Sequence, residues 1–203
     1  MLEVLDPTDT RLRTNSEPIS PSELKTKSVQ LLIEEMLDLV YGQSNKGAGR
    51  DTNKPTTVGL SANQVGINKR ISIVDLAIAL KGYNDLHVLI NPEVIWRSRS
   101  TIERREGCVN LPDTFGFISR SNRVIVEALD RSGNHLRLDL KGWAATLLQH
   151  EIDHLEGHLF IDRLSDPTHA HLVEKGDYQS YKKAKKDWTK FRDVSGLVLR
   201  VSP

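Results

Sequence analysis

The chain has 203 residues, of which 28 are basic and 27 acidic, and its formal net charge is +1. Because the two charges nearly cancel, the sequence shows no general basic surface, and we expect one domain, residues 1–203, with no DNA partner. No apolar run approaches the roughly 18 residues of a membrane helix, and a single cysteine, Cys108, excludes an internal disulfide, so we expect a cytoplasmic protein with no membrane partner.

The first part of the chain predicts one helix followed by a long polar loop. The residues Ser20 to Glu23, "SPSE", form a capping box with proline at the first helical position. An apolar face continues from there to Gly42, where the glycine should end the helix. Residues 42–57, "GQSNKGAGRDTNKPTT", are polar and rich in glycine, and they predict a flexible inserted loop.

Strand-like segments fill the middle of the chain, and helical segments follow them. The segments "RISIVD", "HVLINP" and "VIW" have the composition of strands, and "NRVIVEALDRSGNHLRLDL" alternates on both sides of a Ser-Gly-Asn turn, which predicts a hairpin. A helix should run from about Trp143 to Glu156, with Gly157 ending it, and a last helix from about Pro167 to Arg192. Because the predicted strands come first and the helix with the motif follows them, the order of elements indicates an α+β fold rather than alternating βαβ units.

The most informative segment is "QHEIDH" on the predicted helix that begins near Trp143. His150 and His154 are four residues apart, so both imidazoles lie on one helix face, about one turn from each other. Glu151 lies about 100° further round the helix, too far to join them easily as a ligand but close enough to reach a water at the same ion. This pattern is typical of two metal ligands and a general base on one helix.

A catalytic metal usually takes three protein ligands, and three residues are candidates for the third. Cys108 lies in the tight segment "REGCVNLPD", and Glu174 follows His154 by 20 residues, the spacing used by thermolysin-like proteases. His158 lies one turn beyond His154, but Gly157 should end the helix before it. Cys108 also fits as a small buried hydrophobe and Glu174 as a solvated charge, so the residues alone leave the third ligand open.

Three separated stretches resemble the peptide deformylase family. "VGLSANQ", Val58 to Gln64, is similar to Gly-x-Gly-Leu-Ala-Ala-x-Gln of the family. "EGCVN", Glu106 to Asn110, is similar to Glu-Gly-Cys-Leu-Ser, and "QHEIDH", Gln149 to His154, to Gln-His-Glu-x-Asp-His. The order and rough spacing of the motifs also agree, and the resemblance covers about residues 2–170.

The sequence departs from the family pattern at several positions. Thr57 stands where the family has its first glycine, and Val109 and Asn110 replace Leu and Ser after the cysteine. None of these changes removes a metal ligand or the base. A family arginine thought to help hold the peptide falls at Phe115, so we expect different handling of the substrate beyond its first residue.

The resemblance implies a metal-dependent hydrolase that removes the formyl group from the initiator methionine of new polypeptides and releases formate. It assigns one divalent ion to Cys108, His150 and His154. Fe(II) is the expected metal, with Ni, Co and Zn as alternatives for such a ligand set. The expected fold has antiparallel sheets packed around a central metal-binding helix, with one helix near each terminus.

The resemblance also implies catalytic roles for three further residues. Glu151 takes a proton from the attacking water and returns it to the departing amine. The side-chain amide of Gln64 and the backbone N–H of Val109 stabilise the negative charge that grows on the formyl oxygen.

Four residues are predicted to bind the substrate. Gly59 would let an extended peptide approach the backbone closely and pair like an added strand. Val58, Thr146 and Leu147 should help to line the methionine pocket.

Asp153, next to a ligand histidine, should either orient an imidazole or form a surface salt bridge.

The C-terminal region, residues 167–203, is expected to be a basic helix and tail. Residues 175–192 contain seven basic and two acidic residues, a net charge of +5, which fits either docking on ribosomal phosphate or a solvated helix face.

Two other functions remain open at this point. One is a metallopeptidase with Glu174 as third ligand, and the other is a non-catalytic relative that binds nascent chains or the ribosome.

Overall fold

The computed structural model describes residues 2–41, 57–76 and 85–199. The predicted loop 42–57 therefore lies outside the described residues, apart from Thr57, and so do residues 200–203 of the tail. The helices are α1 (Pro21–Leu24), α2 (Lys27–Tyr41), α3 (Trp143–Leu155) and α4 (Tyr178–Ala184). The strands are β1 (Gly59–Ser61), β2 (Ile71–Asp75), β3 (Leu86–Arg97), β4 (Thr101–Cys108), β5 (Leu111–Ser121), β6 (Arg123–Leu129), β7 (His135–Lys141), β8 (Ala170–Leu172) and β9 (Phe191–Arg192).

The strands form two antiparallel sheets. One has the order β1-β2-β3-β6-β7 and the other the order β4-β5-β8-β9. The predicted hairpin is confirmed as β6 and β7, which pair from Arg123↔Lys141 to Leu129↔His135. Gly133 takes a φ of +90° in its turn, a conformation that costs glycine little.

Helix α3 packs between the two sheets, against β1, β2 and β7 on one side and β5 on the other. Every residue from Ala145 to Leu155 is buried. Leu148 and Ile152 join the core of the first sheet, while the polar face of the helix points toward the second. The helix ends as predicted before Gly157, whose φ is +78° and where a Cβ would lie 2.7 Å from the Arg13 carbonyl oxygen. The α+β fold with a central helix is thus confirmed.

The N-terminal helix is present but divided. The side chain of Ser20 caps α1 by accepting a hydrogen bond from the Glu23 N–H, as the capping box predicts. The hydroxyl of Thr26 then donates to the Glu23 carbonyl oxygen at 2.6 Å and accepts from the Val29 N–H at 3.4 Å. Because one side chain caps both the end of α1 and the start of α2, the helix breaks there. The apolar face of α2 packs against β1 and β2.

The predicted helix from Pro167 to Arg192 is wrong over most of its length. Only α4, of seven residues, is an α-helix in that range, whereas Ala170–Leu172 and Phe191–Arg192 are strands. Strand β8 pairs with the edge of β5 through Thr114↔Leu172 and Phe115↔His171, because pairing satisfies backbone groups that an exposed edge would leave open. Within the described ranges, no helix combines the length and hydropathy needed to cross a bilayer.

Candidate active site

Three potential metal ligands converge between α3 and the end of β4. The Sγ atom of Cys108 and the ring nitrogens of His150 and His154 all lie within 4.8 Å of one another. The two Nε2 atoms are 3.1 Å apart, and Sγ is 3.3 Å from Nε2 of His154. Three electron-donating atoms facing one point repel one another unless a cation lies among them, so this set fits a divalent transition metal. No other such group of three forms among the residues that the structure describes.

The two histidines have different surroundings. Nδ1 of His150 lies 2.8 Å from the Glu106 carboxylate, which leaves Nε2 facing the ligand cluster. Burial lowers the pKa of His150, but hydrogen bonds with Cys108 and Glu106 outweigh burial and raise the pKa to about 10. Burial and the charge of His150 hold the pKa of His154 well below its usual value, so His154 keeps a free lone pair. Nδ1 of His154 is buried and has no hydrogen-bond partner in the described part of the chain.

Glu106 belongs to a buried ion network that the sequence did not reveal. Both of its carboxylate oxygens accept from Arg120, at 2.5 and 2.8 Å, and Arg120 also donates to Asp153 at 2.6 Å. Burial raises the pKa of Glu106, but Arg120 and His150 more than offset this and lower it. Asp153 pairs with Arg120 and Arg163, and among the described residues its carboxylate has no hydrogen bond with either histidine ring. Its role is therefore a buried ion pair, not a surface one.

Glu151 is a buried carboxylate on the same helix. The Ser61 hydroxyl donates to its Oε2 atom at 2.8 Å. Burial raises the pKa of Glu151, and the charge of His150 and the Ser61 hydrogen bond offset this only in part. A side chain at Gly59 would collide with the Glu151 carboxylate, so glycine at this position leaves room for the base. A raised pKa makes the carboxylate a stronger base, which suits it to take up a proton and then pass it on.

Gln64 and Asn110 fix the wall beside Cys108. The Gln64 amide nitrogen lies 3.2 Å from Sγ of Cys108 and donates to Oδ1 of Asn110 at 2.9 Å, while its Oε1 accepts from the Ser61 N–H at 2.7 Å. Asn110 in turn donates to the carbonyl oxygens of Leu5 and Gln64. Asn110 therefore orients Gln64 and ties the N-terminal segment to the site.

A cavity of about 540 Å³ opens in front of this cluster. All the predicted catalytic and substrate-binding residues line it, namely Val58, Gly59, Gln64, Val109, Thr146, Leu147 and Glu151. Two of the three predicted ligands, Cys108 and His150, line it as well, whereas His154 is fully buried behind them. The sequence did not predict the contribution of Arg105, Asp113, Trp143 or Tyr178 to this cavity.

The other candidates for the third ligand lie elsewhere. Glu174 is exposed, with Oε2 3.8 Å from Nζ of Lys190, and it is not part of the ligand cluster. His158 follows the turn at Gly157, and its ring nitrogen lies 3.9 Å from Asp162. The proposal of Glu174 as a ligand is thus not supported, because β8 and the turn after it keep that residue at the surface.

Comparison with known proteins agrees with this geometry. A family model described as polypeptide deformylase matches residues 1–170. The chain belongs to the polypeptide deformylase family. It is 39% identical over 165 residues to peptide deformylase 2 of Vibrio cholerae, covering 81% of this chain and 87% of the relative. It is 34% identical over 175 residues to a peptide deformylase of Stenotrophomonas maltophilia, covering 86% and 93%.

Solved structures give the same result. An actinonin-bound class I type b peptide deformylase from Acinetobacter baumannii superposes with a TM-score of 0.68 at 29% identity, covering 81% of this chain and 98% of that one. Peptide deformylase from Ehrlichia chaffeensis in complex with actinonin also has a TM-score of 0.68, at 31% identity, covering 93% and 98%. The chain is therefore a metal-dependent hydrolase that removes the N-formyl group of new polypeptides.

Proposed function

We propose that Cys108, His150 and His154 bind one divalent metal ion and that Glu151 transfers the protons of deformylation. One observation carries this proposal: the convergent Cys-His-His cluster and a buried carboxylate open into the same cavity. When bound, the metal supplies a Lewis acid that polarises the formyl carbonyl and makes water acidic enough to deprotonate near neutral pH.

Each protein group then has a definite task. Glu151 removes a proton from the attacking water and returns it to the departing amine, which yields formate and a free methionyl N-terminus. The Ser61 hydroxyl keeps the carboxylate of Glu151 in one orientation during both transfers. The amide of Gln64 and the backbone N–H of Val109 donate to the formyl oxygen as it gains negative charge.

Part of the cavity wall suits the methionine side chain. Val58, Thr146 and Leu147 line the cavity, and the Thr146 hydroxyl is occupied by a hydrogen bond to the Gly142 carbonyl oxygen at 3.1 Å. With its hydroxyl engaged, Thr146 offers its methyl group, so the three residues form an apolar surface for an unbranched thioether chain. Gly59 at the edge of β1 permits an extended peptide to pair alongside.

The decisive experiment is formate release from a formylmethionyl peptide. Glu151→Gln should retain its metal and lose activity by about 100-fold or more, since glutamine cannot transfer protons. Glu156→Gln is the matched control, because Glu156 lies on the surface just after the same helix and does not line the cavity. Near wild-type activity in the Glu151 variant would rule out its proposed role.

We also propose that Fe(II) is the native metal, in keeping with the thiolate and imidazole ligands. Molecular oxygen oxidises Fe(II), and the reduced oxygen species formed there can oxidise the Cys108 thiolate to sulfinic or sulfonic acid. Iron-loaded protein should lose activity in aerated buffer much faster than nickel-loaded protein, with added oxygen on the Cys108 peptide by mass spectrometry. Equal half-lives with Cys108 unmodified would mean that the metal is not exposed to oxygen or that Cys108 is not its ligand.

Two further proposals concern the surroundings of the enzyme. We place it in the cytoplasm, where formylated nascent chains emerge. The lysines of α4 and the turn after it are exposed, which supports sequence-independent docking on ribosomal phosphate. Lys183 and Lys185 are the best candidates, because neither forms an ion pair with the residues described in the structure.

A further inference from the structure

A group of cations and aromatic rings lies outside the metal site, at the part of the cavity lined by Arg105, Phe115 and Tyr178, which we call its far end. The guanidinium carbon of Arg105 lies 5.7 Å from the centre of the Tyr178 ring, 5.6 Å from that of Phe115 and 5.3 Å from that of Tyr181. Nζ of Lys182 lies 4.6 Å from the centre of the same Tyr178 ring. Two positively charged side chains thus lie near the ring of one tyrosine that lines the cavity.

The rings hold Arg105 in place without neutralising it. Tyr181 is fully buried, its ring packs on Trp188 at a centroid distance of 5.4 Å, and its hydroxyl lies 3.1 Å from Nδ1 of His171. Arg105 and Lys182 are both exposed, and neither side chain has an ion pair or hydrogen bond with any residue in the described ranges. A cation fixed on ring faces keeps its N–H donors free for an incoming anion.

The position of Arg105 along β4 sets its distance from the reaction centre. Arg105 precedes Cys108 by three residues on the same strand, which corresponds to about 10 Å between their Cα atoms. An extended peptide covers the same distance in about three residues. A substrate whose formyl group lies at Cys108 would therefore bring its second or third residue to Arg105.

We propose that Arg105 and Lys182, gathered on the ring of Tyr178, form an anion-binding subsite that receives an acidic side chain at the second or third residue of the substrate. This proposal rests on the deformylase function proposed above and adds a sequence preference to it. Tyr178 and Lys182 belong to α4, beyond the residues that match the family model, so the subsite combines the family's hairpin with this chain's own C-terminal segment.

One nearby charge opposes this preference. Asp113 also lines the cavity, and it is exposed. The two other acidic residues of the lining, Glu106 and Glu151, are buried and already hydrogen-bonded. If Asp113 governed selection, basic peptides would be favoured instead, so the sign of the preference separates the two possibilities.

The test compares formyl-Met-Ala-Glu, formyl-Met-Ala-Gln and formyl-Met-Ala-Lys, all amidated at the C-terminus, together with formyl-Met-Glu-Ala amide. For wild type at low ionic strength, kcat/KM should be about 5-fold higher for the better glutamate peptide than for the glutamine peptide, and lowest for lysine. The gain should lie in KM, because the contact is the same in the ground state and the transition state. It should shrink in about 0.5 M salt.

Variants identify the residues responsible. Arg105→Gln combined with Lys182→Gln should bring the glutamate-to-glutamine ratio close to one, and Asp113→Asn should increase it. The charge-matched control is Arg99→Gln combined with Lys25→Gln, which removes two exposed cations that neither line the cavity nor stack on Tyr178 and should keep the wild-type ratio. A wild-type ratio of one or below, or a ratio unchanged in the double variant, would overturn the subsite alone. No formate from any peptide would overturn the deformylase function and the subsite with it.

Discussion

The two ends of the cavity hold their charged groups in different ways. At the metal end, Glu106, Arg120 and Asp153 are buried and paired with one another, and Glu106 also fixes His150. At the far end, Arg105 and Lys182 are exposed and rest on aromatic rings. Buried charges must be paired to offset their lost hydration, whereas exposed charges can remain free to meet a ligand. The metal end is therefore built for fixed geometry and the far end for selection.

The origin of the two ends along the chain differs as well. The metal end comes from α3, β1 and the β4–β5 hairpin, all within residues 1–170, which match the family model. The far end adds α4, which lies after that range. Changes at the metal end should thus abolish the reaction. Changes at the far end and in α4 should alter only the preference among substrate peptides and the binding to ribosomes.

The largest effect is expected from removing the third ligand. Cys108→Ala should lose nearly all bound metal and all measurable activity, because two imidazoles alone cannot hold the ion tightly. Glu174→Gln, the matched control for the alternative ligand set, should keep about one metal per chain by elemental analysis. Full metal occupancy in the Cys108 variant, or its loss in the Glu174 variant, would mean that the ligand set is wrong.

A smaller loss of metal affinity is expected from a change at a residue that contacts a metal ligand and is not itself a ligand. Glu106→Gln removes the carboxylate that accepts from His150 and pairs with Arg120, so metal affinity should fall by about 10- to 100-fold in competition with a chelator. Glu103→Gln is a suitable control, because Glu103 lies on the same strand but is exposed and pairs with Lys186. Unchanged affinity in the Glu106 variant would show that the network supports the fold and not the metal.

The metal end could be predicted in part from the sequence. Helical spacing alone brings His150 and His154 together, because residues four apart share a helix face. Spacing could not choose between Cys108 and Glu174, since the third ligand comes from a distant strand, and only the resemblance decided in favour of cysteine. Glu106 was missed because "ERRE" looks like a solvated strand; its burial depends on Arg120 from the neighbouring strand.

The far end could not be predicted, because it depends on strand register and long-range pairing. Arg105 pairs with Phe117 and Gly107 with Phe115, so Arg105 and Phe115 are diagonal neighbours across the hairpin. A lysine-rich sequence with no glycine or proline between Gly176 and Gly196 favours a long helix, but the pairing of β8 with β5 and the burial of Trp188 limit it to α4. Local propensity carries no information about these tertiary contacts.

The smallest effect is expected from two exposed lysines that do not line the cavity. Lys183→Gln combined with Lys185→Gln should weaken binding to purified ribosomes by about 3- to 10-fold at low salt. It should also reduce the slope of log affinity against log salt by roughly 1 to 2, because binding with fewer phosphate contacts releases fewer counterions. Formate release from a short formylated peptide should stay at the wild-type rate, since neither lysine lines the cavity. Lys25→Gln combined with Lys27→Gln, which removes two exposed lysines near the N-terminal helices, should leave ribosome binding unchanged. If both double variants weaken ribosome binding equally, only the net charge of the protein matters, and Lys183 and Lys185 have no specific docking role. If neither variant weakens it, the C-terminal lysines are a solvated surface, and the C-terminal segment acts on the substrate alone.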